Sequence, residues 1–281
     1  MTESSSQLQE IKDLISSIVQ DNVPPGKSVP DWIANSQKTC SPKLNHARVS
    51  LFFAHHGFAE KLKITDANYD KYVKDNIEGT GKLNRLCQSA NTDLRLYELD
   101  TTTPTVDCLN GDSAMDTDDM VKAIAYGMMS VEPGIDMISA TAFGHGSDAS
   151  ARALYYLHND ISCDDLTVAR LLKPNDGRKG FDALQQIGGF EIAALCGLVI
   201  AAKLANVPVL LEGETGAAVL SILKHENAGI TDHCALTGWD EIKLGNISYF
   251  APPYAAPKEP GLAAASIIPH FKNQVILQGA N

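Results

Sequence analysis

Residues 187–213 read IGGFEIAALCGLVIAAKLANVPVLLEG and, taken in order, spell a loop, a buried helix, a turn and a buried strand. Gly188 and Gly189 let the backbone come close to a neighbour, and the helix start after them offers unpaired N–H groups and positive dipole to an anion. Glu191, in that first turn, is favoured by the same dipole. From Ile192 to Ala202 every residue is apolar or glycine, so the helix is expected to be covered on most faces, with Gly197 admitting a close neighbour. Lys203 marks the polar exit, Asn206 and Pro208 stop the helix, and Val207 to Leu211 suit a parallel strand covered on both sides. Glu212 and Gly213 then fall at the strand's carboxyl end, where open α/β sheets bind ligands.

Working outward, the chain alternates. Val49 to Ala54 is an apolar strand running into His55-His56-Gly57, followed by a helical segment from about Ala67 to Ala90 and a strand from Leu94 to Leu99. Met115 to Met129 is helical with an acidic entry, and Asp136 to Ala142 is a strand entering TAFGHGSDASARALYYL at 141–157, a Gly-rich turn that opens a helix. A helix at Ala217 to His225, short strands near Cys234 and Tyr249, a Pro-rich loop and a helix from about Leu262 complete the pattern. At the other end, Leu8, Ile11, Leu14, Ile15 and Ile18 mark a helix within Ser5 to Gln20, and VPPGKSVP at 23–30 reads as a rigid connector. Strands alternating with helices predict a three-layer wound α/β fold. Its mainly parallel sheet is covered by helices, and the N- and C-terminal segments form a small helical subdomain. The expected units are 1–45, an N-terminal helical segment; 46–250, a nucleotide-binding α/β core; and 251–281, a C-terminal loop and helix completing the site.

A chain of 281 residues can bury a large core, and its net charge of -11 argues against nucleic acid or an anionic membrane as partner. Six scattered cysteines without a CxxC pair, and no signal peptide, imply reduced thiols in a cytoplasmic protein without a zinc site. The longest apolar run is too short to span a bilayer.

Four clusters can carry chemistry, each with a plainer alternative. His55-His56-Gly57 can present an imidazole to a substrate, or one ring can make a capping contact while the other is exposed. FGHGSDAS at 143–150 can cradle a phosphate, or Ser147, Asp148 or Ser150 can be an ordinary helix cap. Glu212 and Glu214 form an acid pair at a strand end or a solvated turn, and Glu259 in PKEPGLAAAS is a base or a surface acid at a helix N-terminus.

The order and wording of these clusters resemble the nicotinate-nucleotide:dimethylbenzimidazole phosphoribosyltransferases, which make the lower nucleotide of cobalamin. VSLFFAHHGFAE is similar to the family's strand and Asp-His-Gly turn, with His56 and Gly57 in register and His55 in place of the aspartate. The resemblance is strongest at 180–223, GFDALQQIGGFEIAALCGLVIAAKLANVPVLLEGETGAAVLSIL. SATAFGHGSDASARAL occupies the place of the Gly-Glu-x-Gly-x-x-Asn-Thr-Thr nucleotide loop, Gly144 matching a family glycine; DHCALTG resembles Ser-His-x-Ser-Ala-Glu-x-Gly. KEPGLAAASIIP resembles Gly-Glu-Gly-Ser-Gly-Ala-Ala-Leu-Ala with one residue of slippage.

The resemblance implies transfer of ribose phosphate from nicotinate mononucleotide to an aromatic base by a homodimer without metal or cofactor. In it Glu259 would be the general base, its pKa raised by an apolar wall. His56, Gly57, Gly144, Ser147, Gly188, Gly189 and Glu212 would bind substrate, with Gly188 and Gly189 a floor for the nucleotide. Departures accompany it. Ala142 stands for the loop's glutamate, and Ser147, Asp148 and Ala149 for Asn-Thr-Thr. The chain is short between Leu157 and Phe181, where Arg152, Lys173 and Arg178 are the possible substitutes for a phosphate-binding lysine. In the base pocket, Asp66 and Lys74 replace a serine and a glutamine, which points to a different or more polar ring. A catalytically silent nucleotide- or partner-binding protein is the alternative function. A Rossmann-type oxidoreductase is disfavoured, since no G-x-G-x-x-G follows a strand with an acid about 20 residues later.

Overall fold

The computed structural model describes residues 3–20, 28–65, 68–99, 103–175, 177–239, 247–252 and 259–279. The elements in chain order are α1 (Glu3–Ser16), α2 (Val29–Ser36), β1 (Ala47–Phe53), α3 (Phe58–Leu62), α4 (Tyr69–Ile77), α5 (Lys82–Ser89), β2 (Asp93–Glu98), α6 (Thr117–Met129) and β3 (Met137–Phe143). They continue with α7 (Ser147–Asn159), α8 (Leu166–Leu172), α9 (Gly180–Ile187), α10 (Phe190–Ala205), β4 (Val209–Glu212), α11 (Gly213–Glu226), β5 (Cys234–Thr237), β6 (Ser248–Tyr249) and α12 (Leu262–Gly279).

The strands form one sheet in the order β2-β1-β3-β4-β5-β6, and every neighbouring pair is parallel. Leu51 pairs with Thr141, Ala140 with Leu211 and Leu211 with Leu236, so β1, β3, β4 and β5 end on the same edge. β1, β3, β4 and β5 are buried along their whole length, because side chains of period two meet helices on both faces. Phe52, Ile138, Ala140, Val209 and Leu211 face a core built with α6, α7, α9, α10 and α11. Val49, Leu51, Phe53, Met137, Leu210 and Ala235 face the opposite core, built with α2, α5 and α12. These are the three layers that the alternation predicts.

The opening stretch folds as read. α10 is apolar on nearly every side, and its Gly197 lies so close to α6 that a Cβ there would overlap the Ile124 carbonyl; Gly127 of α6 meets the Ala194 carbonyl in the same way. Asn206, at φ 55°, ends the helix in the left-handed conformation that a short polar side chain tolerates. The strand begins at Val209, two residues later than expected, and passes directly into α11 at Gly213, whose φ is 72°.

Two local readings are refined and one helix is added. The expected helix from 67 to 90 is, over its described residues, two helices, since Gly79 at φ 77° and Gly81 break it, with the Asn84 side chain accepting from the Gly81 N–H. Of the expected connector at 23–30, residues 23–27 lie outside the described residues, while Ser28 caps α2 through the Asp31 N–H and Pro30 lies in the first turn, where a missing N–H costs nothing. α8 follows Asp165, whose side chain accepts from the N–H groups of Thr167 and Val168. Of the terminal helices, α1 packs on α6 while α2 and α12 pack on each other. No helix among the described residues is long and apolar enough to cross a membrane.

Candidate functional site

The carboxyl edge of the sheet gathers the loops after β1, β3 and β4 with the starts of α7, α10, α11 and α12. At its centre lies Glu191, fully buried in the first turn of α10. Its Oε1 lies 2.8 Å from His56 Nε2 and accepts a 2.8 Å hydrogen bond from Ser147 Oγ. This triad ties the β1 loop, the β3 loop and the Gly188-Gly189 turn together. The turns are glycine because the approach is close: a Cβ on Gly144 would overlap the Ala54 carbonyl, and one on Gly189 would stand 2.6 Å from His56 Nε2. Gly57 carries the same restriction against Thr105, whose hydroxyl accepts from its N–H at 3.3 Å. The His56 ring therefore makes an internal contact, and Ser147 donates to a carboxylate while its N–H bonds back to the Gly144 carbonyl.

Glu212 holds a second cluster. Its two oxygens accept the Gly261 and Ala264 N–H groups at 2.9 and 2.8 Å, capping α12. Burial pushes its carboxyl up to about 7, although those N–H bonds pull the other way. Glu259 lies just upstream, its carboxylate 2.6 Å from Lys82 Nζ at the start of α5. The Glu259 side chain is 39% exposed, so it faces a lysine and solvent instead of the expected apolar wall. Tyr72 of α4 donates to the neighbouring Pro260 carbonyl.

A third cluster lies beyond α4, where an open cleft of about 480 Å³ is lined by Phe53, His55, Tyr69, Asp70, Val73, Lys74, Ile77, Glu78 and Glu98. His55 stacks on His145 at 4.5 Å between ring centres, with Tyr69 4.6 and 4.7 Å from the two. Phe143 and Tyr72 extend the cluster toward the Glu259 loop, their centres 5.4 Å apart. Desolvation, with the neighbouring His145, holds His55 below the usual imidazole range.

Of the residues that sequence singles out, His56, Ser147 and Gly189 meet at Glu191, with Gly57, Gly144 and Gly188 in the turns beside them, while Glu212 binds the start of α12 just after Glu259. Lys74 lines the cleft, 3.9 Å from Glu78 on its own helix. Asp66 lies outside the described residues. Among the three basic residues considered for a phosphate, Arg152 is held between Glu214 at 2.5 Å and Asp165 at 3.3 Å. Sequence reading undervalued Glu191, whose signal was an acid opening an otherwise apolar helix. It passed over Tyr69, Tyr72, Lys82 and His145, which reach the site only through tertiary contacts.

A family model described as "Phosphoribosyltransferase" matches residues 27–239. Proteins named nicotinate-nucleotide–dimethylbenzimidazole phosphoribosyltransferase from Methylocella silvestris, Rhodobacter capsulatus and Novosphingobium aromaticivorans are 25%, 29% and 29% identical over 72%, 69% and 77% of this chain. The matches cover 65%, 64% and 70% of those proteins, so the chain spans about two thirds of the length of the curated relatives it matches. The crystal structure of CobT from Thermus thermophilus shares the fold, with a TM-score of 0.72 at 17% identity over 99% of this chain and 96% of that one.

Proposed function

The chain belongs to the nicotinate-nucleotide–dimethylbenzimidazole phosphoribosyltransferase family, and from that premise we propose that it moves ribose phosphate from nicotinate mononucleotide to a ring nitrogen of an aromatic base, as in assembly of the cobalamin lower ligand. The observation that carries this reading is Tyr72, whose ring packs on Phe143, itself in ring contact with the cleft-lining Phe53 and Tyr69, and whose hydroxyl bonds to the loop of Glu259. A ring-lined cleft of a size suited to a small heteroaromatic molecule is thereby linked through Phe143 and Tyr72 to the loop that carries Glu259.

In this mechanism the base nitrogen attacks C1′ as the bond to the nicotinate nitrogen breaks, with inversion. Nicotinate leaves as a neutral pyridine ring, and Glu259 takes the N–H proton of the attacking base. Glu212 acts on the carboxylate's position by fixing the Gly261 backbone, two residues along. The turns at Gly144 to Ser147 and Gly188-Gly189 bring helix starts to the same edge, suited to the donor's phosphate and ribose. Segment 251–281 completes the site on the core of 46–250, and a cytoplasmic homodimer is part of the proposal.

Nicotinate release from nicotinate mononucleotide in the presence of 5,6-dimethylbenzimidazole and other aromatic bases tests it. Release is expected to depend on the base and to fall at least about a hundredfold in Glu259→Gln. Base-independent release, or none with any base, overturns the reading.

A further inference from the structure

An acid in the first turn of a helix ordinarily serves the N–H groups that lack an intrahelical partner there. Glu191 reaches across to other loops instead, and one oxygen, Oε1, takes both of its contacts, the His56 ring and the Ser147 hydroxyl. Oε2 has no hydrogen-bond partner among the described residues. A buried acceptor left unpaired costs free energy that an apolar side chain avoids, so stability alone does not account for an acid here. Its place among the turns does. The carboxyl group is packed on the backbone of Gly189, where an added Cβ would overlap Oε2 and stand 2.6 Å from His56 Nε2. His56 in turn donates its N–H to the His145 carbonyl at 3.0 Å, and a Cβ on Gly146 would stand 2.9 Å from the His56 Cβ. The turns before α7 and α10 therefore take their separation from one carboxyl group.

Resting on the transferase reading, we infer that Glu191 is a positioning residue for the phosphorylated riboside donor, which it does not touch. By holding the Gly188-Gly189 turn against the turn from Gly144 to Ser147, it sets the floor that keeps C1′ in line with the incoming nitrogen. A misplacement of about 1 Å in such a floor lowers the rate about a hundredfold. Glu191 and Ser147 are both fully buried, so neither side chain meets the substrate itself. Ser147 acts through Glu191, to which its hydroxyl donates.

Steady-state nicotinate release by the full chain tests this, with nicotinate mononucleotide and 5,6-dimethylbenzimidazole, or another aromatic base that supports release, varied in turn. Glu191→Gln and Ser147→Ala are each expected to raise the KM for nicotinate mononucleotide at least about fivefold and to leave the KM for the base within about twofold. The double variant should be no worse than Glu191→Gln alone, since Ser147 acts through that acid. A merely structural role lowers kcat through the folded fraction and leaves both KM values unchanged. That result in the folded variants keeps the activity and overturns the inference, as does an equal rise in both KM values. Should Glu191→Gln not fold, Ser147→Ala decides by the same criteria. If the unaltered chain releases no nicotinate with any base, the transferase reading fails, and calorimetric titration with nicotinate mononucleotide judges the positioning role separately. An affinity that falls at least about fivefold in the folded variants keeps that role. An affinity unchanged in them, or no binding to the unaltered chain, removes it.

Discussion

Glu191 shows how one acid can hold three loops. With its side chain fully removed from solvent, its Oε1 is held by the His56 ring and the Ser147 hydroxyl, each 2.8 Å away. Truncation by Glu191→Ala strands both partners in a site closed to water, and breaking a buried polar cluster of this kind costs about 3 kcal/mol or more. Glu191→Gln keeps one acceptor oxygen and should cost roughly half as much. Urea unfolding of the two variants checks the order; equal stability of Glu191→Ala and the unaltered chain would show that the triad contributes nothing. The glycines around this acid were legible in sequence, since close backbone approach leaves a mark in residue type. Its partners were not, because His56 and Glu191 are 135 positions apart and only the sheet register joins them. Glu259 was legible as an acid before a helix, but its exposure and its lysine depend on α5, whose start is set by the Gly81 turn.

Helix packing carries the fold, and the α6–α10 pair is its most sharply constrained contact. Gly127 and Gly197 interlock with the carbonyls of Ala194 and Ile124, so a single methyl on either forces two helix backbones apart. Gly197→Ala should therefore destabilise by about 2 kcal/mol despite alanine's better helix propensity, as overpacking of a close contact does. A thermal midpoint at or above that of the unaltered chain would mean that the helices can separate without loss. This contact was foreseeable from one glycine in an apolar run. The parallel strands were equally legible, since burial on both faces leaves mostly apolar residues in β1 and β3, interrupted only by Arg48, Ser50, Ser139 and Thr141. The breaks were harder to read. In 67–90 the helical periodicity outweighed the Gly79-Thr80-Gly81 turn, and at 28–30 proline suggested a break where Ser28 and Pro30 open a helix. α8 is seven residues long, too short for periodicity to reveal.

For the whole molecule, two buried groups on different elements set opposing pH dependences. His158, largely buried at the end of α7, places Nδ1 2.7 Å from the Leu154 carbonyl and accepts the Gly180 N–H on Nε2, with His225, Lys179 and Asp160 nearby. That arrangement needs the neutral ring, and burial pushes its pKa from 6.5 down to about 4. Its contribution is complete above pH 6.5 and is lost as pH falls from there toward 4, by at most about 3 kcal/mol. Glu212 does the reverse. Burial raises its carboxyl from 4.5 to about 7, so the folded state favours the protonated form. The stability from that form is complete below pH 4.5 and lost as pH rises toward 7, by a similar amount. Between about pH 4.5 and 6.5 the folded chain retains a proton at Glu212 that the unfolded chain releases, and lacks one at His158 that the unfolded chain takes up. The two slopes cancel there, and single variants should uncover them. Relative to the unaltered chain, Glu212→Gln should gain stability as pH rises from 4.5 to 7, and His158→Gln should gain as pH falls from 6.5 to 4. Urea unfolding at half-unit pH steps reads both differences; parallel profiles for all three proteins would show that neither group changes its proton affinity on folding.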